Sequence, residues 1–177
     1  LNKALAGNVT EKTATAIIGA LGEVRHTDAE DRILELLKNY NSDNFQYNAY
    51  AALSKLGTAK SYDVLYGKAK ASNLEFERTN SSALLLEYAN NLAANGDTKL
   101  AKSIASKVFA DASTDKGIGA KVGALELLSR LEPKKQRKKL ISLSTGKDPI
   151  LRNVALGLLS SDVSASEMKK ITSSLAK

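Results

Sequence analysis

Between Ser42 and Ala71 the apolar positions fall at i, i+3, i+4 and i+7 twice in succession. They are Ala49, Ala52, Leu53 and Leu56 first, then Tyr62, Leu65, Tyr66 and Ala69. That spacing marks one face of a helix. Gly57 stands between the two stripes, where a helix end calls for a residue that takes positive φ at low cost. The stretch therefore predicts helix, tight turn and returning helix, with alanines on the first stripe small enough to let another helix come close. Neither helix hides its stripe alone, so the pair needs neighbours built the same way.

The rest of the chain supplies them. Ile17, Ala20, Leu21 and Val24 repeat the four spacings within residues 10–24, and Asp28 is placed to cap a helix over Ile33 to Tyr40, with Asp31 in a capping-box position. A third pair is expected over residues 75–110. Leu85, Tyr88 and Leu92 point inward on a helix from Glu75, Asn95-Gly96-Asp97 makes the turn, and Leu100, Ala101, Ile104, Ala105 and Val108 line the return. The fourth, over 116–145, sets Ala124, Leu128 and Leu131 in register, then Pro133 in a first helical turn with Leu140, Ile141 and Leu143 behind it. The fifth, over 148–176, has its second helix opened by Ser164 and Glu167 as a capping box, with Met168, Ile171 and Leu175 facing in. Lining up Leu21, Leu53, Leu92, Leu128 and Leu159 gives spacings of 32, 39, 36 and 31 residues. Strand signals are nearly absent. The expectation is an all-α chain, one repeat domain over residues 1–177, with pairs at about 10–40, 42–71, 75–110, 116–145 and 148–176. Residues 1–8 read as the tail of a preceding helix ending at Gly7, and suggest a piece of a longer protein.

The recurring pieces resemble the HEAT-repeat family, in its short bacterial form found in phycobilisome-lyase-like proteins. They are Ala49-x-x-Ala52-Leu53-x-x-Leu56-Gly57, the run Ala20 to Val24, and Asp148-Pro149 with Arg152 and Ala155. Residues 92–101 add a tetratricopeptide flavour. The resemblance implies a right-handed α-α superhelix of about five helical hairpins, with Asp148 capping, Pro149 in the first turn and Arg152 reaching for the neighbouring repeat. It also implies a non-enzymatic scaffold for protein partners or neighbouring domains, with no cofactor. Such arrays often sit inside larger bacterial proteins, sometimes exported beside carbohydrate-acting domains.

Composition narrows the classes. With 177 residues, 43% of them hydrophobic and 25% charged, the chain is long enough for a real core. No apolar run approaches the roughly 20 residues of a membrane helix. Cysteine is absent, which removes disulfides and thiolate chemistry and leaves the compartment open. The net charge of +7 is lopsided: residues 1–96 hold 10 basic against 11 acidic groups, residues 97–177 hold 16 against 8.

Candidate chemistry is sparse. His26 has no second histidine or cysteine to share a metal, so an interaction with helix-end carbonyls is expected of it. Asp28, Glu30, Asp31 and Glu35 suit a first helical turn, where the macrodipole favours acids, and lack the glycine-centred loop of a calcium site. Gly117 and Gly119 give a Gly-x-Gly with no preceding strand, which excludes a dinucleotide fingerprint.

Two features offer binding. Lys134, Lys135, Arg137, Lys138 and Lys139 crowd a helix N-terminus, where cations are disfavoured by about 0.3–1 kcal/mol each. Breaking that rule suits either a partner-binding patch or a solvated face of lysine stems. Six of the nine aromatics lie within residues 40–66, and Tyr47, Tyr62 and Tyr66 among them are candidates for partner binding. If the second helix of each pair lines a concave face, Lys38, Lys68, Lys102, Lys138 and Lys170 are its polar lining. A nucleic-acid-binding module that uses the basic C-terminal half is the alternative. An enzyme ranks last, because no buried carboxylate beside an aromatic cleft can be named.

Overall fold

The computed structural model describes residues 2–7, 9–159 and 163–175. Among them the only regular structure is helical, in two compact units, residues 1–124 and 125–177. The first unit holds α1 (Asn2–Ala6), α2 (Glu11–Glu23), α3 (Glu30–Leu36), α4 (Asp43–Leu56), α5 (Tyr62–Ala71), α6 (Ser81–Ala94), α7 (Thr98–Asp111) and the start of α8 (Ile118–Leu131). The second holds the rest of α8 with α9 (Pro133–Ser144), α10 (Pro149–Leu159) and α11 (Ala165–Leu175). Leu1, Asn8 and the side chain of Leu175, used in the expectations above, lie outside the described residues.

In the first unit the leading helices stack in chain order, α2 on α4 and α4 on α6, while α3 and α5 pack on α4 and α6. The stripe on α4 is buried as its spacing requires: Ala49 and Leu53 are fully covered, Ala52 and Leu56 nearly so. Full burial of a leucine is worth about 1.5–3 kcal/mol, so this face supplies much of the unit's cohesion. Gly57 ends α4 at φ 60°. A Cβ there would also lie 3.0 Å from the Asn91 Cβ on α6 and 2.8 Å from the side-chain nitrogen of Asn95 just past it, so glycine is favoured twice over.

On α2 the buried face differs from the expected one. Ala14, Ile18, Leu21 and Gly22 face inward, Ile17 and Ala20 are only half covered, and Val24 stands 68% exposed. Gly22 is the cause. A Cβ on it would lie 2.7 Å from the Ala52 Cα, so the helices meet backbone to backbone there, and the contact turns α2 by one position.

Helix ends account for most other departures. Asp28 caps nothing: a 3₁₀ turn over Thr27–Ala29 comes first, α3 begins at Glu30 and ends at Leu36. The Asp31 carboxylate pairs with Lys60 on the next repeat, at 2.8 Å. His26 closes α2 with its backbone N–H, bonded to the Leu21 carbonyl, while its ring makes no hydrogen bond among the described residues. Arg25 beside it holds φ 51°, the left-handed place glycine usually fills. The helix expected from Glu75 begins at Ser81 instead. Tyr62 and Tyr66, expected inward, are half-buried at the surface, as is Leu131, and Met168 is 48% exposed.

In the second unit α9 packs against α10 and α11 around Leu140, Leu151, Ala155, Leu159 and Ile171. Pro133 opens α9, and Asp148 caps α10 by accepting the N–H groups of Ile150 and Leu151 at 2.9 and 3.0 Å. Ser164 and Glu167 exchange the bonds of a capping box at the start of α11. The Arg152 guanidinium makes no hydrogen bond or ion pair among the described residues.

Gly22→Ala must push α2 off α4, and the expected cost is about 1–3 kcal/mol. Gly67→Ala on α5, where a Cβ meets nothing within 4 Å, is expected to stabilise by about 0.5–1 kcal/mol through helix propensity. Urea midpoints of the helical circular-dichroism signal measure both; equal and small effects would contradict the close α2–α4 contact.

Candidate functional site

Helix α5 presents Tyr62 and Tyr66 one turn apart, with ring centroids 5.5 Å from each other. Lys107 on α7 reaches over both rings, its Nζ 5.2 and 5.4 Å from their centroids, and donates to the Tyr62 hydroxyl at 2.7 Å. The Tyr66 hydroxyl donates to Asp111 on α7 at 2.7 Å, and Lys70 stands 4.0 Å from the same carboxylate. Second helices of two successive pairs thus share one tyrosine–lysine surface. Burial and the bond to Asp111 push the Tyr66 phenol up, and the hydrogen bond it donates to Tyr62 raises the Lys107 ammonium above its ordinary value. The phenol stays protonated and the lysine charged at neutral pH. The surface is therefore a fixed arrangement of aromatic faces and one cation.

Tyr47, on α4, is 42% exposed and is not brought to that surface. The basic run forms the first turns of α9, in the second unit. Arg137 there is held by Glu167, Nε to Oε1 at 2.9 Å and Nη2 to Oε2 at 2.8 Å. Lys135 lies 3.5 Å from Glu132. Lys134 and Lys138 point to solvent, and Lys139 is half-buried. The five cations are therefore not one patch of equivalent groups. Of the lysines expected to line second helices, Lys68 donates to Gln46 and lies over the Tyr50 ring, Lys102 is half-buried, Lys138 and Lys170 are exposed, and Lys38 is exposed past the end of α3.

The acidic groups serve the fold. Glu30 is 4% exposed and accepts the Thr58 hydroxyl at 2.6 and 2.7 Å and that of Ser61. Among the described residues no three metal-ligating groups gather.

The site that periodicity missed is the loop from Ser72 to Asn80. Asn73, Leu74 and Asn80 hold φ of 54°, 59° and 53°. Non-glycine residues pay about 1–2 kcal/mol each for that conformation, and such strain gathers at functional places. Leu74 is buried, whereas Phe76 is 84% exposed. Hydrogen bonds fix the loop. The Leu74 N–H reaches the Ala69 carbonyl, and Ser82 Oγ reaches that of Glu75. The Glu77 carboxylate accepts from the Thr79 N–H, the Thr79 hydroxyl and the Ser81 N–H at 2.6–2.9 Å. Leu74 divides two clefts, one of about 190 Å³ beside Phe76 and one of about 420 Å³ beside Asp111. The sequence did carry a signal. Two asparagines, which tolerate left-handed backbone, bracket a phenylalanine that fits no helical stripe.

Burial raises the Glu77 carboxyl, but the bonds from Thr79 and Ser81 outweigh it and hold it at about 2. A depressed carboxyl stabilises the fold above its unfolded value, and that contribution is lost as pH falls from about 4.5 towards 2. Glu77→Gln is expected to lower the urea midpoint at about pH 6 and to narrow the gap between about pH 6 and pH 3. An unchanged gap would show that the loop does not rest on the ionised carboxylate.

The described residues contain no helix long and apolar enough to cross a membrane. No curated protein and no solved structure matches the chain. A family model for HEAT repeats matches residues 2–87, which cover the α2–α4–α6 stack as far as the first half of α6. Over those residues, with their helices packed as consecutive pairs, the chain is similar to HEAT repeats.

Proposed function

We propose that this protein is a non-enzymatic scaffold that binds a protein partner, or neighbouring domains of a longer chain, through the tyrosine–lysine surface of α5 and α7. HEAT repeats generally serve as protein-interaction scaffolds. The observation that carries the reading here is the Tyr62, Tyr66 and Lys107 cluster, half-exposed and already fixed by its own hydrogen bonds. Tyrosine adds large contact area at low entropic cost, and a fixed ring has less freedom left to lose on binding. Supporting this, the strongly placed carboxylates are occupied: Glu30 by hydroxyls, Glu77 by the loop, Glu167 by Arg137 and its capping box.

Nucleic-acid binding is the second reading, favoured by the +8 balance of residues 97–177 and by exposed Lys134 and Lys138. A photo-crosslinking amino acid placed at Tyr66 and, separately, at Lys134 distinguishes the two. Protease-sensitive adducts at Tyr66 are expected, with binding weakened roughly fivefold or more by Tyr62→Ser or Tyr66→Ser. Nuclease-sensitive adducts at Lys134, with affinity falling steeply between about 50 and 200 mM salt, would favour the second reading.

A further inference from the structure

The cleft beside Phe76 has a chemistry of its own. At about 190 Å³ it is smaller than the roughly 300–1,000 Å³ of a small-molecule site, and suits one large side chain. Its floor is apolar, from Leu74, Leu86 and Ala120, and Phe76 stands beside it as an aromatic wall largely in water. Hydrogen bonds on either side of Phe76, from Glu75 to Ser72 and from Asn80 to Glu77, fix the backbone that carries the ring, so less of the loop has to be ordered on binding.

Three polar residues line it, and one of them, Ser82, already donates its hydroxyl to the Glu75 carbonyl. Lys116 is the only charged residue lining the cleft, and it makes no ion pair among the described residues. The Asn80 amide also lines it and makes no hydrogen bond there. Glu75 and Asp115 are near in sequence but do not line the cleft, and Glu77 is consumed by Thr79 and Ser81. The cleft therefore offers an apolar hole, an unpaired cation and an unused amide.

We infer that the Phe76 cleft docks a short acidic peptide segment of a partner protein, with one large apolar side chain in the hole and a flanking carboxylate on Lys116. The Asn80 amide meets the peptide backbone. This rests on the protein-binding reading above and adds a second contact, separate from Tyr62 and Tyr66. Electrostatic complementarity selects the partner, while the buried side chain supplies most of the affinity.

The test is titration of the full chain with a capped pentapeptide, phenylalanine flanked on each side by two aspartates, read by amide chemical shifts. A twin flanked by lysines and an alanine-centred twin are the comparisons. Saturable shifts are expected in residues 73–83 and 116–120, with the acidic peptide binding roughly fivefold tighter than the basic one. Lys116→Glu is expected to abolish or reverse that preference, and Phe76→Ser to weaken binding roughly tenfold. Circular dichroism checks that both exposed substitutions leave the helices intact. Equal binding of the acidic and basic peptides, loss of no affinity on replacing the central phenylalanine, or no saturable shift at the cleft with millimolar peptide would overturn the inference. Adducts at Tyr66 with a silent cleft would sink this inference and leave the scaffold reading standing.

Discussion

The structure of the first unit depends on how closely its leading helices approach. At Gly22 the α2 backbone touches Ala52, and at Gly57 the end of α4 comes against Asn91 of α6 and Asn95 at its C-terminal end. That closeness brings polar side chains of one repeat within reach of the bare helix ends of the previous one. Asn91 donates to the Ser54 carbonyl at 2.9 Å, Asn95 to those of Leu56 and Gly57, and Tyr88 to that of Thr58 at 2.6 Å. Within the first pair, Tyr40 donates to the Val9 carbonyl just ahead of α2, also at 2.6 Å. The last carbonyls of a helix lack intrahelical partners. Here the next repeat supplies them, 30 to 39 residues on, so apolar stacking and polar satisfaction carry the same period. Repeat arrays owe their stability to such nearest-neighbour terms.

Much of this was legible in sequence, for a physical reason. A stripe such as Ala49, Ala52, Leu53 and Leu56 records the face a helix must bury, and Gly57 records a backbone conformation other residues resist. Asp148 and the Ser164–Glu167 box were readable because caps act locally, within three residues. The face of α2 was not, because a contact 30 residues away decides it: Gly22 opposite Ala52 outweighs the apolar spacing of Ile17 and Val24. The start of α6 was missed because left-handed turns are made here by Asn73, Leu74 and Asn80, where glycine is the usual signal.

The candidate surfaces divide along the same line. Tyr62 and Tyr66 were legible as tyrosines at helical spacing, but their exposure was not, since it depends on Lys107 and Asp111, 45 residues away. The basic run was legible as charge, whereas the binding of Arg137 by Glu167 needed the fold. Phe76 had no periodic partner and left only the asparagines around it as a clue. What the chain presents is consequently shape and fixed side chains: an aromatic surface on second helices and a strained loop between two clefts.

The central claim is that successive pairs of the first unit are stabilised by one another. Site-resolved hydrogen exchange of the full chain tests it most directly, because it reports the opening free energy of each helix separately. The amides of α4, which has a leading helix packed on either side, are expected to exchange slowest. Those of α2 and α6 should open by the same cooperative event, and α1 far more readily. Exchange from α4 as fast as from α1, or independent opening of α2 and α4, would contradict mutual support between the pairs.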